Sequence, residues 1–430
     1  MNTTPATPIW KRPFFTIWTG QAFSLLGSSL AGFALIWWLT STTGSATILA
    51  IGTLMQVLPQ IVLGPLMGAL VDRWNRRVVM LAADGLIALF SLSLAILFLL
   101  GRAAFWHVYV ILFVRAVGGV FHLLAMQAST PLMVPEKHLG RVAGANQTLQ
   151  GLMNILAPAL GAVLLGVMPV QGVLLIDVGT ALLAILSLCF IPIPQPAAVQ
   201  ATTQVSPAGE SVGQQLYEGW AYVWRWPGLR TVILMAMVSN LMTIPAMSLL
   251  PLLVTKHFNG GVKEVGWMGM VAGAGMLAGG LLLTFWGGTR KRILTALAAV
   301  VLMGLGLIII GISPENLFLL GLAGNLLFCL MRPVIDGTIF AVLQSIIPPE
   351  KQGRVLSIVL SGSAASSLIG LLVAGPVVDA TSLPLWFILA GLVSVGVGVS
   401  GFLLPSVMKI EQGPSNAKPE LRMTMPESRA

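Results

Sequence analysis

Long apolar segments alternate with short polar segments along almost the whole of this 430-residue chain. Twelve apolar segments extend over about 18 residues or more, the length that an α-helix needs to cross a bilayer. They span approximately 14–39, 48–70, 78–100, 106–128, 146–167, 172–190, 231–253, 265–286, 293–312, 317–343, 355–375 and 383–404. The pattern predicts an all-α integral membrane protein with twelve transmembrane helices.

The apolar pattern stops near the middle of the chain. Residues 191–230 are polar and rich in proline, which indicates an exposed linker between two groups of six helices. We therefore predict an N-terminal segment at 1–13, a six-helix bundle at 14–190, the linker at 191–230 and a second six-helix bundle at 231–405. The polar, proline-containing segment at 406–430 is predicted to be a disordered tail.

Two short sequence patterns occur in both predicted bundles. Pro135-Glu136-Lys137-His138-Leu139-Gly140-Arg141-Val142 recurs, one residue shorter, as Pro349-Glu350-Lys351-Gln352-Gly353-Arg354-Val355. Gly68 and Trp74 likewise correspond to Gly280 and Trp286. Two parallel copies of a membrane bundle are typical of secondary transporters, so we expect the chain to move a solute across a membrane.

Composition and charge exclude several other classes of protein. Hydrophobic residues make up 56% of the chain and charged residues 9%, against roughly 25% in a soluble domain. The net charge is +9, but 18 of the 23 Lys and Arg residues fall on one side of the predicted membrane, together with both termini. The positive-inside rule makes that side cytoplasmic, so the charge is a topology signal and predicts no nucleic-acid partner.

Polar residues recur at helical spacing on several predicted spans. An amide that faces lipid loses its hydrogen bonds, so we expect these faces to contact other helices or line a solute pathway. The pathway candidates are Gln21, Ser24, Ser28, Gln56, Gln60, His122, Gln147, Gln150, Asn154 and Asn240. The ninth and twelfth spans carry few hydrogen-bonding side chains, and helices of that kind can face lipid.

The loop after the second span reads Gly64-Pro-Leu-Met-Gly68-Ala-Leu-Val-Asp72-Arg73-Trp-Asn75-Arg76-Arg77. This sequence resembles the signature loop of the major facilitator superfamily, whose members have two six-helix bundles. The resemblance implies a cytoplasmic gate, with Gly68 allowing close helix approach and Asp72 accepting hydrogen bonds at the helix end. Arg73, Arg76 and Arg77 are expected to hold the loop at the cytoplasmic surface. The second-half copy has Thr284 in place of Asp72.

Four charged side chains in or near the spans are candidates for proton coupling: Arg115, Asp336, Arg332 and Asp84. Arg332 and Asp336 are four residues apart, the spacing of an ion pair within one helix. A neutralised structural pair is the alternative for these two residues. Arg115 resembles the arginine that antiporters of the superfamily carry in this helix, and Ala157–Gly161 resembles their Gly-Pro motif. Asp84 is the residue that we alternatively expect to brace the gate loop, and Asp177 is expected to be structural.

The resemblance narrows to the macrolide-efflux branch on Phe15–Ser24, Thr43–Ala46, the gate loop with Asp84, and Phe113–Arg115 with Phe121-His122. It implies a proton-coupled exporter of amphiphilic small molecules, such as macrolides or siderophores, in a bacterial plasma membrane. The partners implied are the solute, protons and membrane lipid, for a monomeric protein with no cofactor or metal.

Three other functions stay open on the sequence alone. The same fold supports a symporter that imports a nutrient, or a lipid permease. A membrane sensor that transports nothing is the third. Enzymatic activity is not expected, because no nucleophile–base constellation or metal-ligand cluster is recognisable in the sequence.

Overall fold

The computed structural model describes residues 10–71, 74–191, 193 and 220–413. These residues form helices and no strands, and twelve of the helices are long and apolar enough to cross a membrane, as the sequence predicts. We label the twelve α1 to α12. They are α1 (Lys11–Thr43), α2 (Ala46–Val71), α3 (Arg76–Leu99), α4 (Phe105–Met133), α5 (Glu136–Val167), α6 (Val170–Phe190), α7 (Pro227–Ser248), α8 (Val262–Trp286), α9 (Arg292–Ile312), α10 (Phe318–Ile346), α11 (Pro349–Ala380) and α12 (Leu383–Leu403).

The chain divides into two compact units. The first unit comprises Met1–Ala201 and Val254–Met270, and the second comprises Thr202–Leu253 and Val271–Ala430. The first unit therefore includes the beginning of α8 as well as the predicted bundle at 14–190. Glycines explain this addition: a Cβ atom on Gly266 would lie 3.0 Å from the carbonyl oxygen of Pro158, and one on Gly269 would lie 2.6 Å from Pro158 Cγ. The absence of side chains lets α8 approach α5 this closely.

In the first unit, α1 packs along α6, α2 along α4, and α3 against both α4 and α6. An apolar cluster fills the space among α1, α3, α4 and α6. Its buried members are Ala31, Leu35, Leu39, Leu94, Ala95, Val108, Ile111, Leu112 and Leu174. Because these side chains are closely packed, they fix the four helices relative to one another. The polar residues on the same helices are thereby held in fixed positions.

In the second unit, α9 packs between α10 and α12 through pairs of glycines. A Cβ atom on Gly306 would lie 2.7 Å from the carbonyl oxygen of Gly324, and one on Gly304 would lie 2.7 Å from that of Gly391. More than half of the most apolar part of α9 is buried, the largest share among the twelve helices. The sequence indicated only that a helix of this composition can face lipid; in the structure the glycines of α9 decide how it packs against α10 and α12.

The seventh predicted span differs from the observed helix. We predicted 231–253, whereas α7 begins at Pro227 and ends at Ser248, and a short helix (Leu250–Lys256) follows after Leu249. Pro251 has no amide hydrogen and cannot donate to the preceding turn, which accounts for the interruption.

The predicted tail begins too early. Residues 405–413 form a short helix (Pro405–Met408) and a 3-10 turn (Ile410–Gln412), and Val407 and Ile410 are buried in the apolar cluster at the start of α7. Glu411 accepts a hydrogen bond from the backbone N–H of Ile293 (2.7 Å) at the start of α9. Residues 405–413 are ordered because Val407 and Ile410, which are spaced to lie on one helix face, pack into this cluster. The mostly polar composition of the segment concealed these two residues in the sequence. The rest of the predicted tail (414–430), most of the linker (192 and 194–219) and residues 1–9 lie outside the described residues.

The repeated sequence occupies equivalent positions in the two units. One copy begins α5 at Glu136 and the other begins α11 at Pro349, each after a capping proline. Val142 and Val355, the last residues of the copies, are both buried. The repeat therefore marks the same helix start in each half of the chain.

Candidate functional site

A charged network lies inside the first unit, where four helices meet. Arg115 on α4 forms an ion pair with Asp177 on α6 and donates a hydrogen bond to the hydroxyl of Ser91 on α3 (2.6 Å). Arg115 also donates to the backbone carbonyl of Ser28 on α1 (3.0 Å). Asp177 is fully buried and accepts from the hydroxyls of Ser28 (3.1 Å) and Ser91 (2.8 Å).

The network satisfies both of its charges. The guanidinium has three acceptors and the carboxylate has three donors, so neither charge is left without hydrogen bonds in a region where water is scarce. Bonds between four different helices make Arg115 and Asp177 a fixed point of the first unit. The sequence did not indicate that Asp177 is the partner of Arg115.

A second buried carboxylate in the first unit, that of Asp84, lies on α3. Asp84 Oδ2 accepts a hydrogen bond from Gln21 Nε2 on α1 (3.1 Å), and Asp84 Oδ1 lies 3.6 Å from His122 Nε2 on α4. Only 5% of the Asp84 side chain is exposed, against 21% of His122. The partners of Asp84 are thus on α1 and α4, and these contacts do not support the expectation that it braces the gate loop.

The gate motif is only partly within the described residues. Asp72 and Arg73 lie outside them, and Gly68 lies near the end of α2. The side-chain oxygen of Asn75 caps α3 by accepting from the backbone N–H groups of Arg77 (3.1 Å) and Val78 (3.3 Å).

The two arginines at the start of α3, which are expected to hold the gate loop at the cytoplasmic surface, have different surroundings. Arg76 is 7% exposed. Arg77 donates to the last carbonyls of α6, those of Leu188 (2.7 Å) and Cys189. Cations at a helix C-terminus are favourable, so Arg77 ties the segment after the gate to the end of α6. On the other side of the loop, Trp74 stacks on Phe121 of α4 with ring centroids 6.1 Å apart.

The second unit carries the ion pair that the spacing predicts. Arg332 Nε donates to Asp336 Oδ2 (3.1 Å), and Arg332 Nη1 donates to the side-chain oxygen of Asn240 on α7 (3.2 Å). The Asp336 side chain is 61% exposed on the surface of its unit. This pair is therefore open, in contrast to the closed network around Arg115. At the position of Asp72, Thr284 donates to the Gly280 carbonyl of its own helix (2.8 Å).

Eight of the ten predicted pathway residues fall into two groups. Gln21 and Ser24 are buried, and Ser28 donates a hydrogen bond to Asp177, so in this structure the three side chains contact other groups within the first unit. Five amides have exposed or half-buried side chains on the membrane helices of the first unit: Gln56, Gln60, Gln147, Gln150 and Asn154.

The structure brings together residues that the sequence named separately. Gln21 and His122, predicted to line a pathway, meet Asp84, predicted for proton coupling. Asn240 meets Arg332 in the same way. The sequence contained one general indication of the Arg115–Asp177 pair, because an arginine inside a membrane helix requires a partner. Several acidic residues satisfied that requirement, so the sequence could not select Asp177.

Comparison with known proteins identifies the family. The protein-family model that describes the Major Facilitator Superfamily matches residues 17–333 and 232–425 of the sequence. The chain is 33% identical to Macrolide efflux protein A of Streptococcus pyogenes over 94% of this chain and 98% of that protein. It is 26% identical to the multidrug efflux pump Tap of Mycolicibacterium fortuitum, over 90% and 94% of the two chains.

Solved structures agree on the fold. A bacterial homologue of the iron transporter ferroportin in an inward-facing state superposes with a TM-score of 0.68 over 90% of this chain and 98% of that chain, at 16% identity. A D-xylose-proton symporter gives a TM-score of 0.67 over 92% and 99%, at 14% identity. With twelve membrane helices, the matched family model and relatives over nearly its whole length, the chain belongs to the Major Facilitator Superfamily of membrane transporters, in the macrolide-efflux branch.

Proposed function

We propose that this transporter exports amphiphilic molecules of the macrolide class in exchange for protons, by alternating access. We place it in a bacterial plasma membrane with both termini in the cytoplasm. The observation that carries proton coupling is the presence of acidic side chains with basic neighbours at membrane depth, Asp84 with His122 and Asp336 with Arg332. Its similarity to a macrolide efflux protein and a multidrug efflux pump supports efflux as the direction of transport.

Acidic groups inside a membrane are costly and usually serve ion or proton movement. In this scheme, protonation of one carboxylate shifts the balance between inward-open and outward-open states, and the cargo has a different affinity for the two states. Arg115 and Asp177 have a different role in our proposal, because their hydrogen bonds are already satisfied. Their hydrogen bonds fix the positions of α1, α3, α4 and α6 relative to one another.

The cargo pathway is proposed along the polar face of α5. Gln147, Gln150 and Asn154 are exposed at intervals of three and four residues, so they lie on one face of the helix. Amides with this exposure cannot be placed in hydrocarbon without losing hydrogen bonds, so the face requires water or a polar solute. The exposed Arg332–Asp336 pair requires the same environment.

The first experiment measures accumulation of a radiolabelled macrolide in efflux-deficient cells that express the chain. We expect lower accumulation than in cells with an empty vector, and recovery when a protonophore is added. An equal accumulation in both, with the protein detected in the membrane, would contradict efflux of this cargo. Lower accumulation that the protonophore leaves unchanged would contradict proton coupling.

Two variants separate the proposed roles. Asp72→Asn should impair transport while leaving membrane insertion intact, since the gate residue acts in switching and not in folding. Asp336→Asn should remove the pH dependence of transport if Asp336 carries the proton. A normal pH profile in Asp336→Asn would assign the proton to another carboxylate.

A further inference from the structure

The two buried carboxylates of the first unit differ in how completely they are satisfied. Asp177 accepts hydrogen bonds from Arg115, Ser28 and Ser91. Among the described residues, Asp84 has one hydrogen-bond donor, Gln21, and its second oxygen faces an imidazole at 3.6 Å. That imidazole nitrogen, His122 Nε2, is buried and has no hydrogen-bond partner in the described part of the chain.

A distance of 3.6 Å is too long for a hydrogen bond, but a small side-chain rotation would bring the two atoms within 3 Å. A protonated imidazole would then donate a charge-assisted hydrogen bond to the carboxylate. Histidine is the side chain that most readily changes its charge between pH 5 and 8, whereas arginine stays protonated. Asp84 therefore has a neighbour that can donate or accept a proton, whereas the arginine beside Asp177 stays charged.

We propose that Asp84 and His122 together form the proton-binding site of this transporter, with Gln21 orienting the carboxylate. This inference rests on the proposed function, proton-coupled efflux, and assigns it to named atoms in the first unit. It places the site away from the exposed Arg332–Asp336 pair of the second unit.

The charges on the helices around Asp84 are compatible with this role. Helix α6 contributes Asp177, which interacts electrostatically with Asp84 and is itself paired with Arg115 of α4. Helix α1 contributes the uncharged amide of Gln21. Arg76 and Arg77 belong to the start of α3 itself, about two turns away, and Arg77 is bonded to α6 carbonyls.

The site also lies next to a contact made by Trp74. His122 follows Phe121, whose ring stacks on Trp74, and Trp74 directly follows Asp72 and Arg73 of the gate motif. A movement of α4 that closes the gap between His122 and Asp84 would also move the Phe121 ring against Trp74.

The first test measures proton binding without transport. The chain has four histidines, so isotope labelling of histidine in the purified, full-length protein gives few imidazole NMR signals. His122→Gln identifies the His122 signal. We expect Asp84→Asn to change the pH response of that signal, while Asp336→Asn leaves it unchanged. A His122 signal that does not titrate, or is the same in wild type and Asp84→Asn, would overturn the proposal.

The second test measures macrolide transport driven by a pH gradient in proteoliposomes. We expect His122→Gln and Asp84→Asn each to lower the gradient-driven rate at least about tenfold and to flatten its pH profile, and Asp84→Glu to restore part of both. The matched control is His107→Gln on the same helix. His107 Nδ1 accepts from the N–H of Ala104 (3.0 Å) at the start of α4, a cap that glutamine also supplies.

The outcomes separate this inference from the proposed function. Wild-type protein that shows no gradient-driven transport contradicts proton-coupled efflux, and the NMR titration then decides proton binding by itself. Gradient-driven transport in the wild type that is equally fast in His122→Gln and Asp84→Asn leaves proton-coupled efflux standing and overturns this site. Size-exclusion profiles like that of the wild type show that a slow variant is still folded.

Discussion

In the first unit α1, α3, α4 and α6 meet around buried charges, whereas in the second unit α9 meets α10 and α12 at glycines. Both devices bring helices together where the hydrophobic effect gives little help, because lipid is as apolar as the side chains. They differ in what they allow. A charge network depends on both partner charges and is lost when one of them is removed, whereas glycines that meet backbone atoms permit no alternative packing without separation of the helices.

The comparison predicts the largest effect for Arg115→Ala. Loss of the guanidinium leaves Asp177 buried without its counter-charge, which costs about 3–5 kcal/mol in buried ion pairs. Unfolding by SDS in mixed micelles should show this loss. The matched variant Arg332→Ala should cost under about 1 kcal/mol, because the partner carboxylate in the second unit is exposed. Equal losses in the two variants would contradict the distinction between a closed and an open pair.

A smaller effect is expected from Gly306→Ala in the second unit. The new Cβ atom would lie 2.7 Å from the Gly324 carbonyl oxygen and 2.8 Å from the backbone nitrogen of Phe328. Backbone atoms cannot move aside as a flexible side chain does, so α9 and α10 must separate, at a cost of about 1–3 kcal/mol. Gly396→Ala on α12 is the control, since a Cβ atom there meets nothing within 4 Å. The same unfolding measurement compares the two, and similar stabilities would contradict glycine-dependent packing.

An intermediate case lies on α8, where Gly269 meets a side chain. Gly269→Ala should cost about 1 kcal/mol, because Pro158 Cγ lies 2.6 Å from the new Cβ atom and a proline ring can shift slightly. Gly280→Ala on the same helix meets nothing within 4 Å and should leave stability unchanged or slightly raised. Thermal stability of the detergent-solubilised protein measures both. A Gly280→Ala variant less stable than Gly269→Ala would refute the assignment.

The smallest effect is expected from Glu411→Ala in the second unit. The substitution removes the acceptor and the negative charge at the start of α9, worth about 0.5–1 kcal/mol in comparable helix caps. Hydrogen exchange at the Ile293 amide should become about two to five times faster. Glu315→Ala, outside any helix cap that the structure describes, is the control and should leave that amide unchanged.

The sequence predicted what depends on spacing within a single helix. The twelve spans follow from the length of apolar segments, and the Arg332–Asp336 pair follows from a separation of four residues on α10. The repeated Pro-Glu pattern, from which two parallel bundles were predicted, lies at the starts of α5 and α11. These features need no knowledge of how one helix is rotated against another.

Contacts between helices were the part that the sequence left open. Arg115 and Asp177 are 62 residues apart, and Gln21 and Asp84 are 63 apart, so only the packing of α1, α3, α4 and α6 brings them together. The burial of α9 also escaped prediction, because glycine carries no side chain to signal a contact. Val407 and Ile410 escaped because their polar neighbours dominate the local composition. In each case the contact or the burial depends on how two segments of the chain are positioned relative to each other.

The inclusion of residues 254–270 in the first unit has a consequence for biosynthesis. A ribosome completes α1 to α6 before it makes α8, so the surface of α5 around Pro158 is without its glycine partners in that interval. The first unit is consequently incomplete until residues 254–270 have been synthesised. A chain that stops after α6 retains that uncovered surface, and addition of a second fragment that begins before residue 254 restores the missing helix.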